Sequence, residues 1–318
     1  MSDRPALLDV FQAKRRISPH VTRTPLYHYP ALDRLIGAQV HVKHENYQIL
    51  GSFKVRGALN VISQLSGEEK RRGVVVATTG NFGQGITYAA SVYGVKANVV
   101  APLDANPGKV DAMRQLGANL IFYGDDFDEA RQHAEMLAEE DGYRYIHSAN
   151  EPGLVPGVGT YSLEIFEDLP DVDVIIVPVG GGSGVCGACV VSKGLNPKVQ
   201  VIGVQAESAP AAYLSWKKGL TVEAPMDTVA EGLGTRHGYD GTQPIIRDLL
   251  DDFVLVSEEE LQSAIVLHLK HTHDLTEHAG AAALAAAVKI KNHLKEKKVA
   301  LIISGGNISL EHLKQALM

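Results

Sequence analysis

The chain has two cysteines, one tryptophan and no extended block of lysine and arginine, and none of its apolar stretches is long enough to cross a bilayer. Each shortage removes a class of protein. Cys186 and Cys189 cannot build a disulfide framework, so the default is a reducing compartment, and we expect the cytoplasm. The formal charge of −7 is spread over 318 residues without aromatic-basic alternation, which argues against a nucleic-acid surface. Residues 1–16 mix Asp3, Arg4, Asp9 and Lys14 with apolar positions, which excludes an ordinary signal peptide. What is present is 45% hydrophobic residues and 31 glycines in a chain long enough for two lobes. Small molecules are the expected partners.

The stretch Gly51-Ser52-Phe53-Lys54-Val55-Arg56-Gly57 places one lysine in a small-residue loop just before a helical pattern that runs from Val55 to Leu65. An apolar neighbour or a nearby cation disfavours an ammonium and makes a lysine a better nucleophile, and Phe53 and Arg56 are the candidates for these two influences. From Gly73 onward short apolar runs alternate with helical patterns: strands at 74–77, 97–101, 119–123 and 143–147, with helices at 82–93, 107–116 and 127–140 between them. A second series has strands at 174–179, 199–205 and 299–304, with helices at 160–168, through Val190, at 209–218, 258–271, 279–293 and 309–317. An additional strand is expected at 38–43, after a loop at 19–29. This alternation predicts an α/β protein with open, mostly parallel sheets covered by helices on both faces, and a ligand cleft between two lobes. The less periodic segment 223–240 reads as a long loop that could line a site.

Three glycine-containing loops follow strands, where open α/β sheets bind ligands. Gly180-Gly181-Gly182-Ser183-Gly184 opens a helix, and its N–H groups suit a phosphate. Thr78-Thr79-Gly80-Asn81-Phe82 offers hydroxyls, an amide and a helix N-terminus to an anion such as a carboxylate. Ser304-Gly305-Gly306-Asn307 ends the last strand. A rival remains open at this point: Gly182, Gly184 and Gly187 fit a dinucleotide fingerprint, with Glu207 where a ribose-binding acid would stand, so an NAD-dependent oxidoreductase is an alternative. A non-catalytic binding protein is another. Cys186 and Cys189 are expected in a tightly packed helix, His268, His271, His273 and His278 at a solvated helix end, and Tyr213 and Trp216 against the second lobe.

The chain resembles, almost end to end, the fold-type II pyridoxal-phosphate enzymes, specifically the serine/threonine dehydratase and serine racemase group. Gly51 to Gly57 is similar to that group's lysine motif, and Pro244-Ile245-Ile246-Arg247-Asp248 to a stretch of the racemases. The resemblance implies a two-lobed, tryptophan synthase β-like fold with a small domain at 51–147, a large cofactor-binding domain at 1–50 and 148–318, and a homodimer. It implies pyridoxal 5'-phosphate attached to Lys54 beside Phe53, with Gly180, Gly181, Gly182 and Ser183 on its phosphate, Ser304 at its ring nitrogen, Asn81 at its phenolic oxygen and Glu277 at its edge. Thr78, Thr79, Gly80, Asn81 and Phe82 would hold the substrate carboxylate. Lys54 would also act as general base, and Thr79 stands where racemases carry a serine on the opposite face. The expected reaction is dehydration of a β-hydroxy amino acid of the threonine, serine or 3-phenylserine type to a 2-oxo acid and ammonia, with racemisation as the alternative.

Departures from the family pattern set further expectations. Phe82 replaces a histidine, which would favour apolar over acidic β-substituents if its ring faces the pocket. Gln205, Ala209 and Ala211 align with a divalent-cation site and leave it without carboxylates, so no metal is expected. His278 follows Glu277 where proline is common. The last helix leaves no room for a regulatory domain, so feedback by isoleucine is not expected.

Overall fold

A computed structural model describes residues 4–318 except 79, 104, 106 and 126. Among the described residues, ten strands form two sheets. β1 (Leu26–His28), β2 (Gln39–His44), β7 (Val174–Pro178), β8 (Gln200–Ala206), β9 (Asp252–Val256) and β10 (Lys298–Ile303) make the larger, in the order β1-β2-β10-β7-β8-β9. β3 (Val74–Ala77), β4 (Ala97–Ala101), β5 (Asn119–Phe122) and β6 (Arg144–Tyr145) make the smaller, in the order β5-β4-β3-β6. Among the strand pairs of the described residues, β1–β2 alone is antiparallel. The central strands β3, β4 and β7 are buried at every residue, as apolar runs without alternation require when helices cover both faces of a parallel sheet.

Several elements differ from expectation, for reasons of packing. The helix expected from Thr160 begins at Leu154 and contains Pro156, Gly157 and Gly159. Its proline lies in the first turn, where the missing N–H costs nothing, and its glycines permit contact too close for a side chain. A Cβ on Gly157 would come within 2.6 Å of the Arg56 carbonyl, and one on Gly187 within 2.8 Å of the Gly159 Cα. The helix Leu7–Ile17, strand β1 within the expected loop, the helix Gln243–Leu249 and strand β9 carried too weak a period to be assigned from sequence. His268 is not at a solvated end. It is 1% exposed, and burial pushes its pKa down to about 3. His278 is buried too, edge-on to His312, whereas His273 is exposed. Cys186 and Cys189 are fully buried, and Tyr213 and Trp216 meet Phe253 of β9.

Four buried charges join the helix Lys54–Ser63 to the larger sheet. Arg56 reaches Glu45 at 2.7 and 2.9 Å and Glu164 at 2.7 and 3.0 Å, and Lys43 Nζ meets Glu164 at 2.5 Å. The Thr24 hydroxyl donates to Glu45 at 2.6 Å, and Lys43 donates to the Thr24 carbonyl. Two cations balance two carboxylates. Burial alone would push the Glu164 carboxyl up, but Arg56 and Lys43 bring it below its usual range. Replacing Arg56 by methionine leaves two buried carboxylates facing one cation, and should cost about 3–5 kcal/mol of unfolding free energy in denaturant titration. A loss under about 1 kcal/mol would show that the network carries no such role.

Candidate active site

The C-terminal ends of β3, β7 and β10 face one cavity of about 630 Å³. All three glycine loops open into it, through Thr78, Gly80 and Asn81, through Gly180 to Gly184, and through Ser304. Thr79 lies outside the described residues.

Lys54 is the first residue of its helix, and its amine sits 4.9 Å from the Phe53 ring centroid. The loop before it is clamped against the end of β10: Phe53 N–H and the Ser52 hydroxyl donate to the Ser304 carbonyl at 3.2 and 3.3 Å, and Gly306 N–H donates to Gly51 O at 2.9 Å. This pairing sets Lys54 beside Ser304. Burial lowers the Lys54 pKa to about 8, against an opposing pull from Glu277. Arg56 has no part in this, because its guanidinium is committed to Glu45 and Glu164. The expected cationic influence on Lys54 is therefore replaced by desolvation alone.

Gly180 to Gly182 form the turn into the helix Ser183–Leu195, and each glycine answers a steric demand. A Cβ on Gly180 would lie 2.2 Å from the Gly232 carbonyl, one on Gly181 2.9 Å from Ala149, and Gly182 has φ +94°. The Thr242 hydroxyl donates to the Gly181 carbonyl at 2.8 Å, and Ile246 of the helix Gln243–Leu249 lies behind Gly182. A bare backbone turn at a helix N-terminus is the donor set a phosphate needs. Gly187 faces Gly159 in helix packing instead of the cavity, and Glu207 is exposed and paired with Lys289 at 2.9 Å. Neither serves a dinucleotide.

Thr78 shapes its own loop. Its Oγ1 accepts the N–H groups of Gly80 at 3.1 Å and Gly83 at 3.3 Å, which leaves its hydroxyl proton as the group it can offer a ligand. Asn81 opens the helix Asn81–Val92 and donates to Glu277 Oε1 at 2.8 Å. Burial raises the pKa of Glu277, opposed by Lys109. Phe82 is 6% exposed, packed with Ile86 and Met113 yet also on the cavity wall. It serves core and pocket together.

The loop 223–240 contributes Thr228, Glu231, Arg236, His237 and Tyr239 to the cavity, as its low periodicity suggested in general terms. Sequence reasoning did not single out Lys109, which lies over Gly80 and pairs with Glu231 across the cavity. A lysine inside a helical pattern carries no signal of its own. Gln205, aligned with a cation ligand, is fully buried; it donates to Leu233 O and Thr235 Oγ1 at 3.3 Å and accepts Tyr213 N–H at 3.1 Å. Among the described residues there is no cluster of three or more metal-binding side chains, and no helix is long and apolar enough to cross a membrane.

A desolvated lysine facing a glycine cradle between two mostly parallel sheets defines a class of enzyme that holds a phosphorylated aldehyde cofactor. The profile of the family described as "Pyridoxal-phosphate dependent enzyme" matches residues 17–305, and the chain belongs to that family. It is 40% identical to an L-threonine ammonia-lyase of Thermotoga maritima over 98% of this chain and 78% of that one. It is 36% identical to a catabolic L-threonine dehydratase of Escherichia coli, over 98% and 95%. Maize serine racemase superposes with a TM-score of 0.93 at 31% identity, covering 98% of this chain and 96% of that one.

The amine of Lys54 provides a direct check on this geometry. The folded site disfavours its ammonium form, so the proton should leave as pH rises through about 8, where an ordinary lysine would keep it to about 10.5. Between those values the unfolded chain binds the extra proton, so this group's contribution to stability improves as pH rises and is unfavourable below about 8. In cofactor-stripped protein, the rate of Lys54 modification by an amine-directed reagent, followed by peptide mass, should be half-maximal near pH 8. A midpoint above 10 would contradict the buried placement.

Proposed function

We propose that the protein is a pyridoxal-phosphate-dependent ammonia-lyase that converts a β-hydroxy amino acid of the threonine type to a 2-oxo acid and ammonia. The observation that carries the reading is the position of the Lys54 amine, buried beside Phe53 in the cavity that the Gly180–Ser183 turn, Asn81, Glu277 and Ser304 also line. The full-length likeness to threonine ammonia-lyases supports it. When bound, the cofactor withdraws electrons from the substrate's α-carbon.

In this reading Lys54 anchors the cofactor and, as a neutral amine near pH 8, takes the α-proton. Gly180, Gly181, Gly182 and Ser183 hold the phosphate with main-chain N–H groups and a helix N-terminus. Ser304 would offer the ring nitrogen a neutral hydroxyl, and Asn81 would offer an N–H to the phenolic oxygen. The substrate carboxylate belongs at Thr78–Phe82, where the helix Asn81–Val92 begins. Thr79 is assigned as the acid/base of the opposite face. The division into a small domain of 51–147 and a large domain of 1–50 with 148–318 belongs to the same proposal, as do a cytoplasmic homodimer and independence from divalent metals. The strands support the division, since those of the smaller sheet all come from 74–145.

The deciding assay combines a visible spectrum with 2-oxo acid release from serine, threonine, 3-phenylserine and 3-hydroxyaspartate. Threonine should lead, and Lys54→Ala should lose the lysine-linked visible band and at least about 10²–10⁴ in rate, the share a general base supplies. EDTA should leave the rate unchanged. Racemisation is the second reading, favoured by the likeness to maize serine racemase, and chiral analysis of residual serine in the same reactions measures it.

Phe82 carries a separate expectation. Phe82→His should raise kcat/KM for 3-hydroxyaspartate relative to threonine, because the wall gains a polar partner for a second carboxylate. An unchanged ranking would assign Phe82 to the core alone.

A further inference from the structure

Two side-chain amides link the loop before Lys54 to the acid on the cavity wall, and their polarity runs in one direction. Asn307 Nδ2 donates to the main-chain carbonyl of Leu50 at 2.8 Å and to Asn81 Oδ1 at 2.7 Å. Asn81 Nδ2 in turn donates to Glu277 Oε1 at 2.8 Å. A backbone carbonyl can only accept, so the Leu50 oxygen decides which end of Asn307 faces it. The two hydrogens on that nitrogen are then divided between Leu50 and Asn81. Asn81 must present its oxygen to Asn307, and its NH₂ is left for Glu277. The reverse orientation of Asn81 would set N–H against N–H on one side and oxygen against a carboxylate oxygen on the other.

The surrounding backbone is shaped to admit this chain of amides. A Cβ on Gly51, which has φ +67°, would lie 2.6 Å from Asn307 Oδ1. One on Gly305 would lie 2.5 Å from Glu277 Oε1 and 3.4 Å from Asn81 Nδ2. Gly51 and Gly305 therefore clear the path at both ends. Asn81 heads the helix that follows β3 of the smaller sheet, while Asn307 follows β10 of the larger. The link crosses between the sheets.

We propose that Asn307 is a positioning residue that sets the amide orientation of Asn81, so that Asn81 turns hydrogen-bond donors, and not its oxygen, toward Glu277 and the cavity. The inference rests on the cofactor reading above and deepens it: the second hydrogen of Asn81 Nδ2 is the one available to an anionic oxygen of the bound cofactor. Asn307 acts only through Asn81.

Two variants of the holoenzyme separate polarity from packing. Asn307→Asp keeps the shape but removes both donors and sets a carboxylate against the Asn81 oxygen, so the present orientation of Asn81 is opposed and no longer favoured over the reversed one. Asn307→Ala removes the constraint without reversing it. The expected order of damage is therefore Asp worse than Ala. The Asp variant should show a shifted visible maximum of the lysine-bound cofactor and about tenfold weaker cofactor retention, the size of one hydrogen bond to a charged group. The Ala variant should show a smaller shift, and melting of the cofactor-stripped proteins should be similar for both. Damage from Ala equal to or greater than that from Asp would overturn the proposal, as would lowered melting with an unchanged band. If the Asp variant does not fold, an unshifted band in the Ala variant overturns it alone. A wild-type protein without a lysine-linked visible band would be a different failure, removing the cofactor reading and this inference with it.

Discussion

A buried lysine is only as well placed as the helix that starts with it, and here that helix is held by buried charge. Arg56, two residues after Lys54, is fully enclosed with Glu45, Glu164 and Lys43, and every charge in the group has an opposite within hydrogen-bond distance. Charges removed from water are tolerated only with such complements, which makes the arrangement intolerant of displacement in any direction. The network joins the end of β2, the helix Lys54–Ser63 and the helix Leu154–Asp168. A rigid base for the lysine follows from that. Desolvation of the amine then needs no neighbouring cation, because the cavity wall itself supplies it.

Glycine does the complementary work. At Gly57 and Gly157, and again at Gly159 and Gly187, it lets helices touch backbone to backbone; at Gly180 and Gly305 it lets loops approach where any Cβ would collide. The effect is to bring the C-terminal ends of β3, β7 and β10 around one space, the place where parallel sheets expose unpaired N–H groups and helix N-termini. The same glycines that lower intrinsic helix propensity in Leu154–Asp168 are what its packing requires.

The cavity is chemically divided. One side carries the lysine, the phosphate-type cradle and the neutral hydroxyl of Ser304; another carries Lys109, Glu231, Arg236 and His237. The charged side belongs largely to the loop 223–240, joined by Lys109 of the helix Pro107–Gln115 through its pair with Glu231.

The lysine motif, the three loops and the alternation of strands and helices were legible in the sequence because each is local: an apolar run of four or five residues, or a glycine turn beside it, carries its own signal. Their convergence on one cavity agrees with the rule that places ligands at strand ends. What depended on distant partners was not legible. His268 looked solvated because helical spacing says nothing about what covers a face, and the helix Leu154–Asp168 looked short because its glycines make sense only against Gly57 and Gly187. Arg56 was credited with a role toward Lys54 because it is near in sequence, whereas its charge is satisfied by Glu164, 108 residues away. Lys109 gave no signal, and Glu231 and Asn307 were visible only as members of loops, without the partners that give them their roles. Sequence by itself determined the alternating α/β elements and the lysine with its phosphate-type loop. Only the tertiary structure decided which charges neutralise which, and which amide faces the cavity, because both depend on distances between residues far apart in the chain.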